Sequence, residues 1–244
     1  MNRRYLPLIA AAMVLPHAAT AQEARQPAPR IVVVGEGEAA VAPDLAIVTL
    51  SVLRESDTAR AALDQANAAA AEVIAAMKEA GIEARDLQTG GLQINPRYVY
   101  PQNGGSQNGD EAQPRIVAYQ VTNTLTVRVR DIAKVGEIVD RAVTLGVNQG
   151  GGISFTNDDP SAARTEARRL AVVDAIARAR TLAEAAGVGL GQIIEMSEQS
   201  FIQPPMPMVA SRAYRMEAQA DAVPVEAGEN VYRVQINATF ELKQ

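Results

Sequence analysis

A strand that alternates glycine with glutamate, followed at once by a proline turn, constrains the fold of this chain more than any other feature. Residues 31–44 read IVVVGEGEAAVAPD, so Gly35 and Gly37 share one face of an extended strand. A strand face without side chains allows another backbone to approach closely. We therefore predict that Glu36 and Glu38 point to water and that another element crosses closely over the two glycines.

The same stretch matches the G-x-G-x-x-G/A spacing of a dinucleotide-binding turn, through Gly35, Gly37 and Ala40. That turn needs a helix that begins at the second glycine and directs its N-terminus at the pyrophosphate. Here Pro43 follows, and the run LAIVTLSVL has the β-branched composition of a second strand. The sequence therefore disfavours a bound nucleotide, and we expect no cofactor.

The first 21 residues have the parts of a secretory signal peptide. Two arginines precede the apolar run YLPLIAAAMVLP, which is too short to span a bilayer, and the small residues ATA follow at 19–21. We expect cleavage after Ala21, a flexible polar leader over 22–30 and one domain over 31–244. An uncleaved membrane anchor is the alternative, and we expect no transmembrane segment in the mature chain. The signal is of a bacterial kind, which predicts the periplasm.

Missing residue types exclude several kinds of chemistry. The one histidine, His17, lies in the predicted signal peptide, and the chain has no cysteine and no tryptophan. The mature chain therefore lacks Ser-His-Asp and Cys-His catalysis, histidine or cysteine metal sites, and disulfides. Cleavage leaves 21 basic and 28 acidic residues, and the resulting net charge of −7 disfavours nucleic acid as a partner.

Hydrophobic periodicity predicts the element order ββαββαβαββ. Within it, residues 45–156 read βαββαβ, the split-βαβ or ferredoxin-like order. Apolar and polar residues alternate over 119–129 and over 232–242, which is typical of antiparallel strands with one buried face. We predict an α+β fold with an antiparallel-rich sheet, a split βαβ portion and alanine-rich helices packed on one face.

Capping residues predict where the three helices begin and end. The first begins after Asp57 and the second spans about 132–145 behind Asp131, while Pro160 stands in the first turn of the third. Three glycines fit the helix ends: Gly81, Gly146 and Gly187. For the third helix we expect a buried stripe of Leu170, Val173, Ile176, Ala177, Leu182 and Ala183.

Several segments together resemble the SIMPL-domain (DUF541) family. They are VVGEGEAAVAPDLAIVTLSV, AVVDAIARARTLAEAAGVGLGQIIEMSE, PVEAGE and the closing alternating strand, in this order over 31–243. The resemblance implies a secreted or periplasmic protein. It also implies relatives linked to oxidative-stress defence, or to outer-membrane-associated antigens that form ring-like oligomers. No catalytic residues are established for the family, so it supplies none.

These observations lead to one expected function and one alternative. We expect a non-enzymatic periplasmic protein that acts through self-assembly as a homo-oligomer, in envelope or oxidative-stress protection, with outer-membrane association left open. The alternative is a small-ligand or Cu(I)-binding protein. Met206, Met208 and Met216 offer thioethers, which suit Cu(I), and methionine also scavenges oxidants. The simpler interpretation is a proline-rich loop whose methionines pack on the body of the protein or on a neighbouring subunit.

Other candidate residues have simpler structural explanations. Five arginines lie on the third helix: Arg164, Arg168, Arg169, Arg178 and Arg180. A patch for an anionic partner is one interpretation, and a solvated face that includes the i,i+4 pair Asp174–Arg178 is the simpler one. Asp158 and Asp159 fit capping of that helix. Tyr98 and Tyr100 flank a polar loop and are expected at an edge or an interface.

Overall fold

The computed structural model describes residues 28–100, 114–199, 206–208 and 223–243. The predicted signal peptide lies outside the described residues. The strands are β1 (Arg30–Val41), β2 (Leu45–Ser56), β3 (Leu87–Val99), β4 (Arg115–Val129), β5 (Gln149–Thr156), β6 (Gly189–Gln199), β7 (Met206–Met208) and β8 (Glu229–Lys243). The α-helices are α1 (Ala59–Glu79), α2 (Val135–Thr144) and α3 (Ser161–Ala185). The α+β class is confirmed, and β7 is added to the predicted order.

The segment from β2 to β5 forms a unit of its own, here called the inserted unit. Its strands follow the order β3-β4-β2-β5, and all neighbours are antiparallel. Strand β4 therefore lies between β2 and β3, which α1 connects, and this confirms the predicted split βαβ arrangement. The apolar faces of β2 and β4 pack against α1 and α2 around Val48, Val127, Met77 and Ile138.

The remaining elements form the terminal unit, in which the two ends of the described chain meet. Its sheet has the order β1-β8-β6, and β7 also pairs with β8. Strands β1 and β8 pair over their length, from Arg30 opposite Glu241 to Val41 opposite Asn230. Helix α3 packs on β1 and β8. The inserted unit therefore lies, in sequence, between β1 and the helix that covers β1.

The glycine face of β1 receives α3 at very short range. A Cβ atom placed on Gly35 would lie 2.1 Å from the carbonyl oxygen of Ala171, and one on Gly37 would lie 2.1 Å from that of Ala167. The buried residues of α3 form a row with a spacing of four: Ala167, Ala171, Ala175, Ala179 and Ala183. The predicted close crossing is confirmed, and Glu36 and Glu38 are exposed as predicted.

The predicted buried stripe of α3 is wrong except for Ala183. Val173 is 53% exposed and Leu182 is 51% exposed. Ala177 is also exposed, while Leu170 and Ile176 are half-buried. The close approach to the glycine face leaves space for methyl groups alone along the line of contact. Larger apolar side chains are therefore displaced to the flanks of the helix.

The helix ends agree with the predicted glycines but not with every predicted cap. Gly81, Gly146 and Gly187 have φ values of 90°, 103° and 69°, a region that favours glycine. Thr58, rather than Asp57, caps α1, because its Oγ1 accepts a hydrogen bond from the Ala61 amide at 3.2 Å. Pro160 precedes the first turn of α3, and Asp131 makes no capping hydrogen bond.

The segment before β8 links the two units. A Cβ atom placed on Gly136, in the first turn of α2, would lie 2.3 Å from the carbonyl oxygen of Val223. Val225 packs against the core of the inserted unit. The PVEAGE stretch therefore runs across α2 before the chain returns to the terminal unit. Among the described residues, none of the helices has both the length and the apolar character needed to cross a membrane.

Replacing Gly35 with alanine should destabilise the protein, because the new methyl group would overlap the backbone of α3. Overpacking of this kind costs about 1–3 kcal/mol of unfolding free energy. Gly152→Ala is the matched control, because a Cβ on this strand glycine would meet nothing within 4 Å. Urea unfolding should show a lower midpoint for Gly35→Ala than for Gly152→Ala. Equal midpoints would contradict the close packing.

Candidate functional site

Two arginines and two aspartates join the inserted unit to the start of α3. Arg130 donates from Nε and Nη2 to both carboxylate oxygens of Asp86 at 3.0 and 3.1 Å, and from Nη1 to Asp158 at 2.6 Å. Arg128 is paired with Asp158, and its Nε lies 3.5 Å from Asp86. Asp44, in the β1–β2 turn, accepts a hydrogen bond from the Asp158 amide at 2.8 Å. We call these five residues the junction cluster.

A buried polar contact around Asn157 extends the junction into the terminal unit. Asn157 donates from Nδ2 to the carbonyl oxygen of Ala42 at 2.8 Å. Its Oδ1 accepts from Asn230 Nδ2 and from the Tyr232 hydroxyl, both at 3.0 Å. Arg164 lies over the Tyr232 ring, with its guanidinium carbon 5.8 Å from the centroid. The start of α3, the β1–β2 turn and β8 are therefore held together by side-chain amides and a hydroxyl.

The electrostatics of the junction cluster favour a structural role over acid–base catalysis. Hydrogen bonds to Asp86 and Asp158 raise the pKa of Arg130, so it stays charged. The hydrogen bond from Arg130 is the largest cause of the lowered pKa of Asp158. Groups with pKa values far from neutrality are poor proton donors and acceptors at neutral pH. No group of three or more His, Cys, Asp or Glu residues is placed to hold a metal ion within the described residues.

The aspartate pair at the start of α3 divides between two roles. Asp159 accepts a hydrogen bond from the Ser161 amide at 2.9 Å, and this bond is the largest cause of its lowered pKa, so capping is confirmed there. For Asp158 the capping explanation is wrong, because its carboxylate pairs with Arg128 and Arg130 instead. The alternation of β4 places Arg128 on the polar face near the strand end, and this was the available sequence signal.

The arginines of α3 include a balanced set on its solvated face. Three of the five form ion pairs at 2.6 to 2.9 Å: Arg168 with Glu198, Arg169 with Glu166 and Arg178 with Asp174. The predicted Asp174–Arg178 pair is confirmed. Because these charges are compensated by near neighbours, the helix face gives little support to an anionic-partner patch.

The three candidate methionines are placed only in part. Met206 and Met208 lie in β7, where they pair with Val231 and Glu229 of β8. Met216 lies outside the described residues. The Cu(I) alternative therefore stays a prediction.

A long sheet edge carries several exposed apolar residues close in sequence to the predicted tyrosines. Strand β3 is an edge strand of 13 residues. Ile94 lies opposite Val121, which packs under α1, yet Ile94 is 45% exposed because α1 covers β2 and β4 more than β3. We define the β3 edge surface as Leu92, Ile94, Tyr98, Val99, Tyr100 and Ile116, all of which are exposed. Sequence reasoning identified its tyrosines and missed its aliphatic members.

The β3 edge has protection against pairing at its ends and little between them. The register with β4 shifts between Thr89 and Gly91 and again between Arg97 and Tyr98. Bulges, proline and charge are the usual devices that stop an edge from pairing with another chain. Pro96 and Arg97 stand at the second shift, and Arg97 is paired with Glu55 at 2.9 Å. The stretch from Gly91 to the proline carries no charged residue.

Comparison with known proteins gives a consistent result. The family model SIMPL, "Protein of unknown function (DUF541)", matches residues 31–240. The chain is 53% identical over 226 residues to the 26 kDa periplasmic immunogenic protein of Brucella melitensis, and the aligned region covers 91% of this chain and 88% of that protein. It is 27% identical over 221 residues to the uncharacterized protein YggE of Escherichia coli K12, and the aligned region covers 88% of this chain and 84% of that protein. The resemblance found in the sequence is confirmed, and neither name states an activity.

The junction cluster should make stability depend on acid pH. A carboxylate whose pKa is lowered by folding stabilises the fold above its unfolded-state pKa, and this contribution is lost as the pH falls through its folded-state pKa. Because the Arg130 hydrogen bond lowers the pKa of Asp158, the urea midpoint should fall as the pH drops below about 5 and continue to fall below the ordinary aspartate pKa of about 3.9. Asp158→Asn should lower the midpoint at neutral pH and reduce the acid-dependent fall. Asp64→Asn, an exposed position on α1, is the control, and an equal response in both variants would contradict this role.

Proposed function

Since the chain belongs to the SIMPL (DUF541) family, we propose that it is a periplasmic protein that acts through self-assembly rather than catalysis. Two observations support the periplasm. The Brucella relative is named a periplasmic protein, and the first 21 residues have the composition of a signal peptide. In this proposal cleavage follows Ala21, and the mature chain has no disulfide that could stabilise it.

The β3 edge surface is the single observation that carries the assembly. Scattered exposed apolar residues are normal, whereas a contiguous apolar patch beside a free edge is typical of an interface. Leu92 and Ile94 lie on the part of β3 that α1 leaves uncovered, and Tyr98 and Val99 continue along the strand. A second copy that lies along this edge gains backbone hydrogen bonds from the strand and burial from these side chains.

The absence of enzyme activity is the second part of the proposal. The mature sequence offers no histidine or cysteine to act as general base, nucleophile or metal ligand. The carboxylate of Asp158 and the guanidinium of Arg130, which lie in the junction cluster, are paired with each other. Such a pair holds elements together and leaves neither group available for proton transfer.

Size measurement of the mature chain, residues 22–244, tests the assembly directly. Light scattering after gel filtration should give a mass that is a multiple of the monomer mass, and Ile94→Lys should shift the protein toward smaller species. The lysine stem keeps its packing while the ammonium group blocks the edge. Val143→Lys, at a 57% exposed position on α2, is the matched control. A clean monomer across micromolar concentrations for the unchanged chain would refute the proposal.

We also propose that the assembled protein protects the cell envelope under oxidative stress. This part rests on the family resemblance, and genetics tests it separately. Deletion of the gene should lower survival after peroxide treatment, and the unchanged gene should restore it. The Ile94→Lys gene should restore survival less well than the Val143→Lys gene, because only the former weakens assembly. Equal survival of the deletion strain and the parent would contradict the role.

A further inference from the structure

The terminal unit has a second free edge, on β1. Among the described residues, β1 pairs with β8 alone. In an antiparallel strand, alternate residues direct both backbone groups to the same side. The Glu36 amide points away from β8, since it donates to Asp174 Oδ2 of α3 at 2.9 Å. The backbone groups of Arg30, Val32 and Val34 therefore face outward on the same free edge.

An open apolar groove runs along this edge. It has a volume of about 560 Å³ between β1 and α3, and its apolar lining includes Val32, Val34, Ala177 and Leu182. Val32 is 62% exposed, and Leu182 is 51% exposed. The groove exists because the alanine row draws α3 down on the glycine face of β1 and leaves the larger side chains at the flank of the helix.

We propose that this groove is filled by the same groove of a second copy. The two β1 strands pair antiparallel across a two-fold axis, with Val32 opposite Val32 of the second copy. The inference rests on the proposed self-assembly and assigns one of its interfaces to the β1 edge and the exposed flank of α3. A two-fold interface uses the same patch on both subunits, so every contact occurs twice.

The register follows from where the edge is closed. The Glu36 amide already donates to Asp174 and cannot bond to a second strand, so the ladder between the two β1 strands ends before Glu36. The register centred on Val32 uses all the outward groups that remain, because it places Arg30 opposite Val34 of the second copy. Diagonal neighbours in an antiparallel pair lie within reach of long side chains. Arg30 therefore reaches Glu36 of the second copy, and the interface gains two complementary charge pairs.

The placement of α3 fits the same arrangement. A two-fold axis perpendicular to the joined sheet puts both copies of α3 on one face. Since α3 contacts β1 and β8, and strands lie about 4.8 Å apart, the two helix axes come within about 10 Å. That distance is ordinary for packed helices, which lie about 8–10 Å apart. Ala177, Thr181 and Leu182 then fill the space between them.

A single cysteine tests this pairing, because the chain contains none. Val32→Cys in the mature protein should form a covalent dimer under mild oxidation, since opposite residues of a hydrogen-bonded pair have Cα atoms about 5.5 Å apart, which lies within the range of a disulfide. Thr239→Cys is the matched control. Thr239 pairs with Val32 and lies on the same face of the sheet, but it belongs to the inner strand β8. Thr239→Cys should therefore run as a monomer on a non-reducing gel.

The outcomes separate this interface from assembly in general. A covalent dimer for Val32→Cys but not for Thr239→Cys supports the β1 pairing. A monomeric Val32→Cys band from protein that still sizes as an oligomer overturns the pairing and leaves the proposed function in place. Val32→Lys is a second test of the interface, because it places two ammonium groups opposite each other. It should lower the assembled mass at least twofold, and an unchanged mass equal to that of Thr239→Lys overturns the inference.

Discussion

The glycine face of β1 and the alanine row of α3 form the contact that connects the two units of this protein. Strand β1 begins the domain and α3 follows the whole inserted unit, so their close approach fixes how the two units are connected. Gly35 and Gly37 leave no space for side chains larger than a methyl group, and α3 supplies alanine at every fourth position. The same contact displaces Val173 and Leu182 from the core and exposes them on the flanks of the helix.

The junction cluster adds a second connection between the inserted unit and α3. Asp44 and Asp158 connect the β1–β2 turn to the residue that leads into α3, and Arg130 connects both to Asp86 of the inserted unit. Charged groups in this arrangement orient backbone segments that have little apolar surface with which to pack. Because its carboxylates are paired with arginines, the cluster favours a structural role over acid–base chemistry.

The exposed edge strands are the surfaces at which further copies of the chain could pair. Within the described residues, each sheet has an edge strand with exposed apolar side chains: β3 in the inserted unit and β1 in the terminal unit. Two different edges on one chain allow assemblies larger than a dimer, since each edge can be occupied independently.

Local structure can be predicted from this sequence, because the signals for it lie within a few residues of one another. Strand alternation in β4 and β8, the glycines at the helix ends, the split βαβ order and the bare face of β1 were all readable from spacing. Which face of α3 is buried was not, since leucine and valine favour burial until a glycine strand excludes them. The role of Asp158 was hidden as well, because Arg128 and Arg130 reach it only after β4 is in place. Tertiary structure decided these points because packing distance and charge pairing depend on residues far apart in the chain.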